Sequence, residues 1–368
     1  MVLLFIFLIG VKALGDGFKL LSRDLVESFF RATANPFVGL LVGILATTLV
    51  QSSSVTTAMI VGLVAAPENP LPLANAIPMI MGANIGTTVT NTLVSLAHIG
   101  RRHEFRRAFA AATCHDFFNY FAVIVLLPLE LMTGFLRRSA EGITGALIEW
   151  GTKGVAYESP LEGVLRTGFR PVKAAVNAVS ASTQVQAAVM ITVAAVFIFS
   201  SLILLVRTMR SLLHARIEMG VMGVLGESGL VGIVIGAIVT VMVQSSSITT
   251  SLLIPLAGAG IITLQQVFPI TIGANIGTTV TALLASLAVA GVNAHAGITI
   301  AIIHLLFNVI AALLIYPFPP IRRIPLRAAR RLAHVATRSR PLAITYVFGM
   351  FYILPALVAV VDMMFFGN

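Results

Sequence analysis

Apolar residues run through this chain in blocks of roughly 17 to 25, the length at which a helix crosses hydrocarbon. Short charged or Gly- and Pro-containing stretches separate the blocks. The first half predicts spans over Met1–Leu14, Phe37–Ala66, Ile77–His98 and Ala108–Phe135. The second predicts Ala188–Val206, Leu230–Ala259, Phe268–Ala290 and Ile298–Pro317, and a last apolar segment, Leu342–Phe366, has no counterpart. Met1–Gly10 lacks a basic leader and a small-residue cleavage site, so it reads as part of the first span. Leu136–Thr183, mixed in charge and containing the single tryptophan, Trp150, reads as a linker.

The polar interruptions of these blocks recur. Gln51, Ser52, Ser53 and Ser54 follow Val50, and GANIGTTVT begins at Gly82; Gln244, Ser245, Ser246 and Ser247 follow Val243, and the same nine residues begin at Gly273. His115, Phe118 and Asn119 then match His304, Phe307 and Asn308. Identical phrases in the same order mark an internal duplication.

The loop after the first GANIGTTVT carries Arg101, Arg102, Arg106 and Arg107, whereas its counterpart, Val289–Gly297, carries no Lys or Arg. Basic loops stay on the cytoplasmic side, so equivalent loops face opposite sides. Arg207, Arg210 and Arg216, and then Arg322, Arg323, Arg327, Arg330 and Arg331, fit the same scheme; Arg137 and Arg138 in the linker run against it. The expected fold is an all-α polytopic membrane protein of two inverted-topology repeats, with broken helices or re-entrant hairpins carrying the QSSS and GANIGTT motifs. Its divisions are residues 1–135, a first transmembrane repeat; 136–185, an external linker; 186–320, a second repeat; and 321–368, a basic cytoplasmic segment with a final transmembrane helix.

Composition agrees: of 368 residues 58% are hydrophobic and 10% charged, with mean hydropathy +0.98. The 24 Lys+Arg against 14 Asp+Glu lie in short loops, which makes them topology signals rather than a nucleic-acid surface. A single cysteine, Cys114, excludes an intramolecular disulfide and a thiolate metal site. Neither a nucleophile elbow, nor a phosphate-binding P-loop, nor a clustered His and Glu site is present, so neither an enzyme nor an ATP-driven pump is expected; coupling falls to an ion gradient.

Three consecutive serine hydroxyls cannot share one face of a helix whose positions lie about 100° apart, so unwinding is predicted at QSSS. A broken helix in a membrane is tolerated where protein or a water-filled cavity satisfies it. Its exposed N–H groups and positive dipole end favour an anion, and opposing carbonyls favour a cation. Thr56, Thr57, Thr249 and Thr250 extend the polar stripe. Glycines flank Asn84 and Asn275, allowing close backbone approach, and Thr87, Thr88, Thr278 and Thr279 follow; these side chains offer oxygen ligands to a hard cation. Against this, Ser and Thr in membrane helices often bond to their own backbone, GANIGTT can be a small-residue helix contact, and His115 and His304 can be satisfied core residues. Asp116, matched by Leu305 in the second copy, is a carboxylate in an apolar segment with either a cation or proton role or a structural hydrogen bond.

VQSSSVTT with IPMIMGANIGTTVTNT, then EFRRAFAAATCHDFFNYFAVIVLLPLE, resembles the first repeat of the type II sodium-dependent phosphate cotransporters; VMVQSSSITTSLLIPLAGAGIITLQQVFPITIGANIGTTVTALLASL resembles the second. The resemblance implies symport of inorganic phosphate with Na+ by alternating access, in a cell (inner or cytoplasmic) membrane. It implies phosphate at Gln51, Ser52, Ser53, Ser54, Gln244, Ser245, Ser246 and Ser247. Na+ would be held at Thr56, Asn84, Thr87, Thr88, Thr249, Asn275, Thr278 and Thr279, with Asp116, Asn119 and Asn308 as further candidates. No other cofactor is implied, and a homodimer is the candidate assembly. Animal members have a large glycosylated, cysteine-containing external loop; this linker is short, without cysteine or an Asn-X-Ser/Thr acceptor, so a bacterial member is expected. The alternatives are a carrier driven by protons or taking another oxyanion, and a phosphate-binding channel or sensor.

Overall fold

The computed structural model describes residues 2–20, 30–151, 160–179, 182–198, 200–201, 204, 229–287 and 293–365. These form helices throughout. In chain order they are α1 (Val2–Lys19), α2 (Pro36–Val50), α3 (Ser53–Val64), α4 (Leu73–Thr87), α5 (Val89–Leu96), α6 (Arg102–Thr133), α7 (Phe135–Gly151) and α8 (Pro160–Val179). There follow α9 (Thr183–Ile198), α10 (Gly229–Val243), α11 (Ser246–Ser251), α12 (Leu253–Ala259), α13 (Leu264–Leu287), α14 (Ala294–Ile315), α15 (Pro319–Arg338) and α16 (Arg340–Phe348). A π-helical turn, Gly349–Ile353, joins α16 to α17 (Leu354–Phe365).

Among the described residues four helical stretches are long and apolar enough to cross a membrane: Arg102–Thr133, Leu264–Leu287, Ala294–Ile315 and Arg340–Asp362. The protein is therefore an all-α, multi-pass membrane protein. Apolar side chains point outward, such as Ile124, Leu230, Leu313 and Met132, while Asn84, Asn119, His115, Asp116 and Asn275 are buried. That is the arrangement lipid imposes, since polar groups must find partners within the protein.

The predicted span Phe37–Ala66 divides into α2 and α3, and Leu230–Ala259 divides at the same place into α10 and α11. Ile77–His98 is also two pieces, α4 and α5, hinged at Thr88, whereas its counterpart α13 is unbroken. The linker is helical where described: α7 packs on α14 and α8 on α1. Arg207, Arg210 and Arg216 lie outside the described residues, as do the ends of the spans predicted to Val206, Ala290 and Phe366.

Glycines set the packing of each half. A Cβ at Gly43 or Gly82 would collide with the carbonyl of Met79 or Leu40, and one at Gly236 or Gly273 with that of Ile270 or Ile233. One at Gly86 would lie 2.6 Å from the Ile44 carbonyl, and one at Gly277 2.6 Å from that of Ala237. The glycines of GANIG are thus the floor of a close helix crossing, a small-xxx-small contact repeated in both halves. Contacts rise together along the two partners: Gly39 meets Asn75, Gly43 meets Met79, and Gly86 meets Ile44 and Thr47. Helices α2 and α4 therefore run parallel. A chain that leaves one helix and enters a parallel neighbour must double back between them, and α3 is the returning limb. Gly232 on Pro269, Gly236 on Ile270 and Gly277 on Ala237 and Thr240 repeat the pattern, with α11 and α12 as the returning limb.

Candidate functional site

The two chain reversals are built alike. Val50 ends α2, Gln51 adopts a left-handed conformation (φ 53, ψ 28), Ser52 is extended, and α3 begins at Ser53. Gln244 (φ 56) and Ser245 (φ −155, ψ 108) repeat this before α11. A left-handed glutamine costs roughly 1–2 kcal/mol, and neighbouring bonds offset it. Val55 N–H donates to Ser52 Oγ (3.4 Å) and Ile248 N–H to Ser245 Oγ (3.3 Å), so the first serine of each run is an N-cap. The next two residues, Ser53 and Ser54 or Ser246 and Ser247, occupy the first helical turn, where amides have no acceptor inside the helix and the dipole is positive. Ser53, Ser54 and Ser246 are buried and Ser247 half-buried. Each reversal therefore places two serines at a neutral helix start, a setting of the kind in which oxyanions can be held.

The reversals meet. Ser54 Oγ donates to the Gln244 carbonyl at 3.5 Å, and α3 packs on α13 while α11 packs on α5. Each serine helix leans on the other half of the chain. Around them Thr56 donates to Ser52 O (3.2 Å), Thr249 to Ser245 O (3.1 Å) and Thr240 to Thr249 Oγ1 (3.0 Å). The halves differ at their glutamines. Gln244 Nε2 donates to Val241 O (2.6 Å) and its Oε1 accepts from Thr281 (2.8 Å), whereas Gln51 is exposed and the counterpart hydroxyl, Thr90, has no partner.

The threonines of GANIGTT bond to their own helices: Thr87 to Ala83 O, Thr88 to Ile85 O, Thr278 to Ala274 O and Thr279 to Ile276 O, at 2.7–2.9 Å. Their hydroxyl protons are engaged, and what they can offer a cation is oxygen lone pairs. The asparagines reach further. Asn275 Oδ1 lies 2.6 Å from His115 Nε2, and Asn275 Nδ2 donates to Asn119 Oδ1 (2.8 Å), whose amide donates to Asn84 O (3.1 Å). His115 Nδ1 faces Asn91 Nδ2 (3.2 Å), and Asn91 Oδ1 accepts from Thr250 (2.9 Å). With Asn275 Oδ1 as acceptor and Asn91 Nδ2 as donor, the arrangement suits the Nε2–H tautomer of His115. The mirror contact, His304 Nε2 to Asn84 Oδ1, is longer at 3.4 Å, and His304 Nδ1 and Asn308 Oδ1 have no partner. Asn84 explains the difference, since its amide turns back to Ile80 O (3.0 Å) instead of reaching Asn308.

Asp116 is fully buried. Its Oδ2 accepts from Tyr346 OH at 2.7 Å, Tyr120 OH lies 3.4 Å from that hydroxyl, and Oδ1 has no partner. Tyr346, Asn91, Thr240 and Thr281 were not singled out from sequence. Asn91 carried a signal, a lone amide one turn beyond Thr87 and Thr88; Tyr346 carried none, because α16 has no repeat counterpart.

The family model of the Na+/Pi-cotransporter matches residues 6–152 and 196–316, which takes in both QSSS and both GANIGTT segments. The chain belongs to the Na+/Pi-cotransporter family. It is similar to sodium-dependent phosphate transport protein 2A of Rattus norvegicus, 34% identical over 426 residues that cover 98% of this chain and 66% of that protein. It is also similar to protein 2B of Bos taurus (32% over 448 residues; 96% and 63%) and of Homo sapiens (30% over 445 residues; 96% and 63%). The chain spans just under two thirds of the length of these curated relatives. No solved structure matches it. The expected bacterial membership is corrected: the relatives matched are mammalian, and a short linker without cysteines does not separate the chain from them. This Na+/Pi-cotransporter match stops at residue 316, so α15, α16 and Tyr346 lie beyond it.

Proposed function

We propose that the chain is a sodium-coupled symporter of inorganic phosphate that imports by alternating access. The observation that carries the reading is the contact between the two QSSS reversals through Ser54 and the Gln244 carbonyl. Two donor-rich helix starts meet beside a buried amide and hydroxyl network that contains no Lys or Arg. Neutral donors hold an oxyanion weakly enough to release it, and co-bound Na+ supplies the balancing charge. Ser53, Ser54, Ser246 and Ser247 contact phosphate; Ser52 and Ser245 shape the helix starts as caps; Gln51 and Gln244 close over them in turn. Asp116 is the charged ligand of one Na+, with Thr88 and Thr92 beside it. Asn308 Oδ1, Asn84, Asn119, Asn275 and the lone pairs of Thr56, Thr87, Thr249, Thr278 and Thr279 provide the remaining oxygens.

In this reading residues 1–135 and 186–320 are inverted repeats about an external linker at 136–185, and 321–368 adds a basic cytoplasmic segment and a last span. The arginines at 101–107, absent from the equivalent loop of the second repeat, support the inversion. The protein sits in a cell membrane, with a homodimer as its candidate assembly. The test is labelled phosphate uptake into liposomes under an inward Na+ gradient, compared with K+ and with a proton gradient alone. Saturable, Na+-dependent uptake is expected; phosphate binding without Na+-driven flux would turn the reading to a proton-coupled carrier, a channel or a sensor.

A further inference from the structure

Helix α15 carries a buried stripe, Pro325, Leu326, Ala329, Ala333 and Ala336, which packs on α6. Its other face is basic. Arg330, His334 and Arg338 stand at intervals of four, and across the groove α6 presents Arg102 and Arg106 at the same interval, with His103 and Arg107 beside them. Two adjoining cavities lie between these rows. The larger, about 470 Å³, is bordered by Arg106, Arg107, Arg330 and His334; the smaller, about 160 Å³, shares Arg106 and His334 and adds Arg102, His103 and Arg338. Among the described residues the carboxylate nearest in sequence, Glu104, pairs with Arg101 and His98, and no carboxylate pairs with Arg102, Arg106, Arg330 or Arg338. Like charges gathered on two packed helices repel, and an anion between them would relieve that repulsion.

Two further features give the larger cavity a built character. Arg107 Nε donates to Gly258 O (2.9 Å), which caps the end of α12 and fixes the guanidinium; Gly260, at φ +81, leaves it room, since a Cβ there would lie 3.1 Å from Arg107 Cζ. The first turn of α13, through Thr263, Leu264 and Gln265, also lines the cavity and turns the positive end of a 24-residue helix toward it. The floor is apolar: Ala110, Ala257, Ile262 and Ala333. The larger volume falls in the range of small-molecule sites, about 300–1,000 Å³. A cationic rim over an apolar floor of this size suits an organic phosphate better than a bare oxyanion.

We infer that the α6–α15 groove is a binding site for a multiply charged phosphate ester, separate from the QSSS reversals. Arginines clamp its phosphate groups, the α13 amides add donors, and the organic part lies on the alanine floor. The ester comes either from a membrane lipid headgroup or from solution.

The test uses the full chain in phosphatidylcholine nanodiscs, titrated with short-chain phosphatidylinositol bisphosphate, with inositol trisphosphate and with inorganic phosphate. At least one ester is expected to bind, tenfold or more weakly after Arg106→Gln with Arg330→Gln. The pair Arg323→Gln with Arg327→Gln, exposed on α15 but outside both cavities, leaves binding unchanged. Binding by the lipid alone assigns the site to a headgroup, and binding by inositol trisphosphate assigns it to a soluble ester. The inference is overturned if neither ester binds, if the control pair weakens binding as much, or if inorganic phosphate competes at equal affinity, which would make the groove part of the transport path.

Discussion

Thr281 donates a 2.8 Å hydrogen bond to the Gln244 side chain, while Thr90, which stands in the same position of the first repeat, has no partner. Two copies of one motif thus occupy two conformations. If the chain works by alternating access as proposed, exchange between outward- and inward-open states would reverse this difference. A Gln51→Cys, Thr90→Cys pair, made with Cys114→Ala, is expected to cross-link in a fraction of molecules that shifts with Na+ and phosphate. Cross-linking should stop uptake and reduction should restore it. A pair that never cross-links under any gradient would argue against a Gln51–Thr90 contact in the transport cycle.

Ser53→Ala and Ser246→Ala each remove one hydroxyl from a helix start. A hydrogen bond to a charged partner contributes about 1.5–3 kcal/mol, so phosphate uptake should fall ten- to a hundredfold at low substrate. Melting temperature in detergent should stay near wild type, because neither hydroxyl caps a helix. Full uptake by both variants would sink the site assignment.

Asp116→Asn tests the buried carboxylate. Tyr346 can still donate to the amide oxygen, so the fold should persist. Loss of the negative charge should raise the Na+ concentration for half-maximal uptake at least tenfold, about 1.4 kcal/mol, with a smaller effect on half-saturating phosphate. An unchanged Na+ dependence would leave Asp116 a structural hydrogen-bond acceptor.

Asn275→Ala strips partners from His115 Nε2 and Asn119 Oδ1 together. Leaving a buried polar group unpaired costs about 1–3 kcal/mol, and the expected loss is about 2 kcal/mol or more, read as a fall in melting temperature. Asn308→Ala should be milder, because its Oδ1 has no partner to lose and its Nδ2 bonds only within its own helix, to His304 O.

Gly82→Ala sets a methyl against the Leu40 carbonyl, which is backbone and cannot rotate away; about 1–3 kcal/mol of destabilisation is expected. Gly100→Ala, with nothing within 4 Å, should melt like wild type. Equal effects of the two would argue against the close crossing of α2 and α4.

The helical membrane character, the duplication and the helix breaks at QSSS were legible in the sequence because each rests on local information. Apolar length, repeated phrases and three adjacent hydroxyls need no knowledge of distant neighbours. The same sequence could not separate the roles of GANIGTT. Its glycines proved to be the contact surface of α4 and α13, and its threonines turn to their own helices, because the carbonyls of Leu40 and Ile233 arrive there only when parallel helices pack. Nor could it distinguish Gln51 from Gln244, each set in VQSSS with an equivalent threonine, Thr90 or Thr281, of which only Thr281 is bonded to its glutamine. Tyr346 reaches Asp116, and Arg330 faces Arg106, from more than 200 residues away in the chain. Composition and periodicity determined which segments are helices in a membrane; partners of buried polar and charged groups depend on which surfaces meet, and that was decided by tertiary packing.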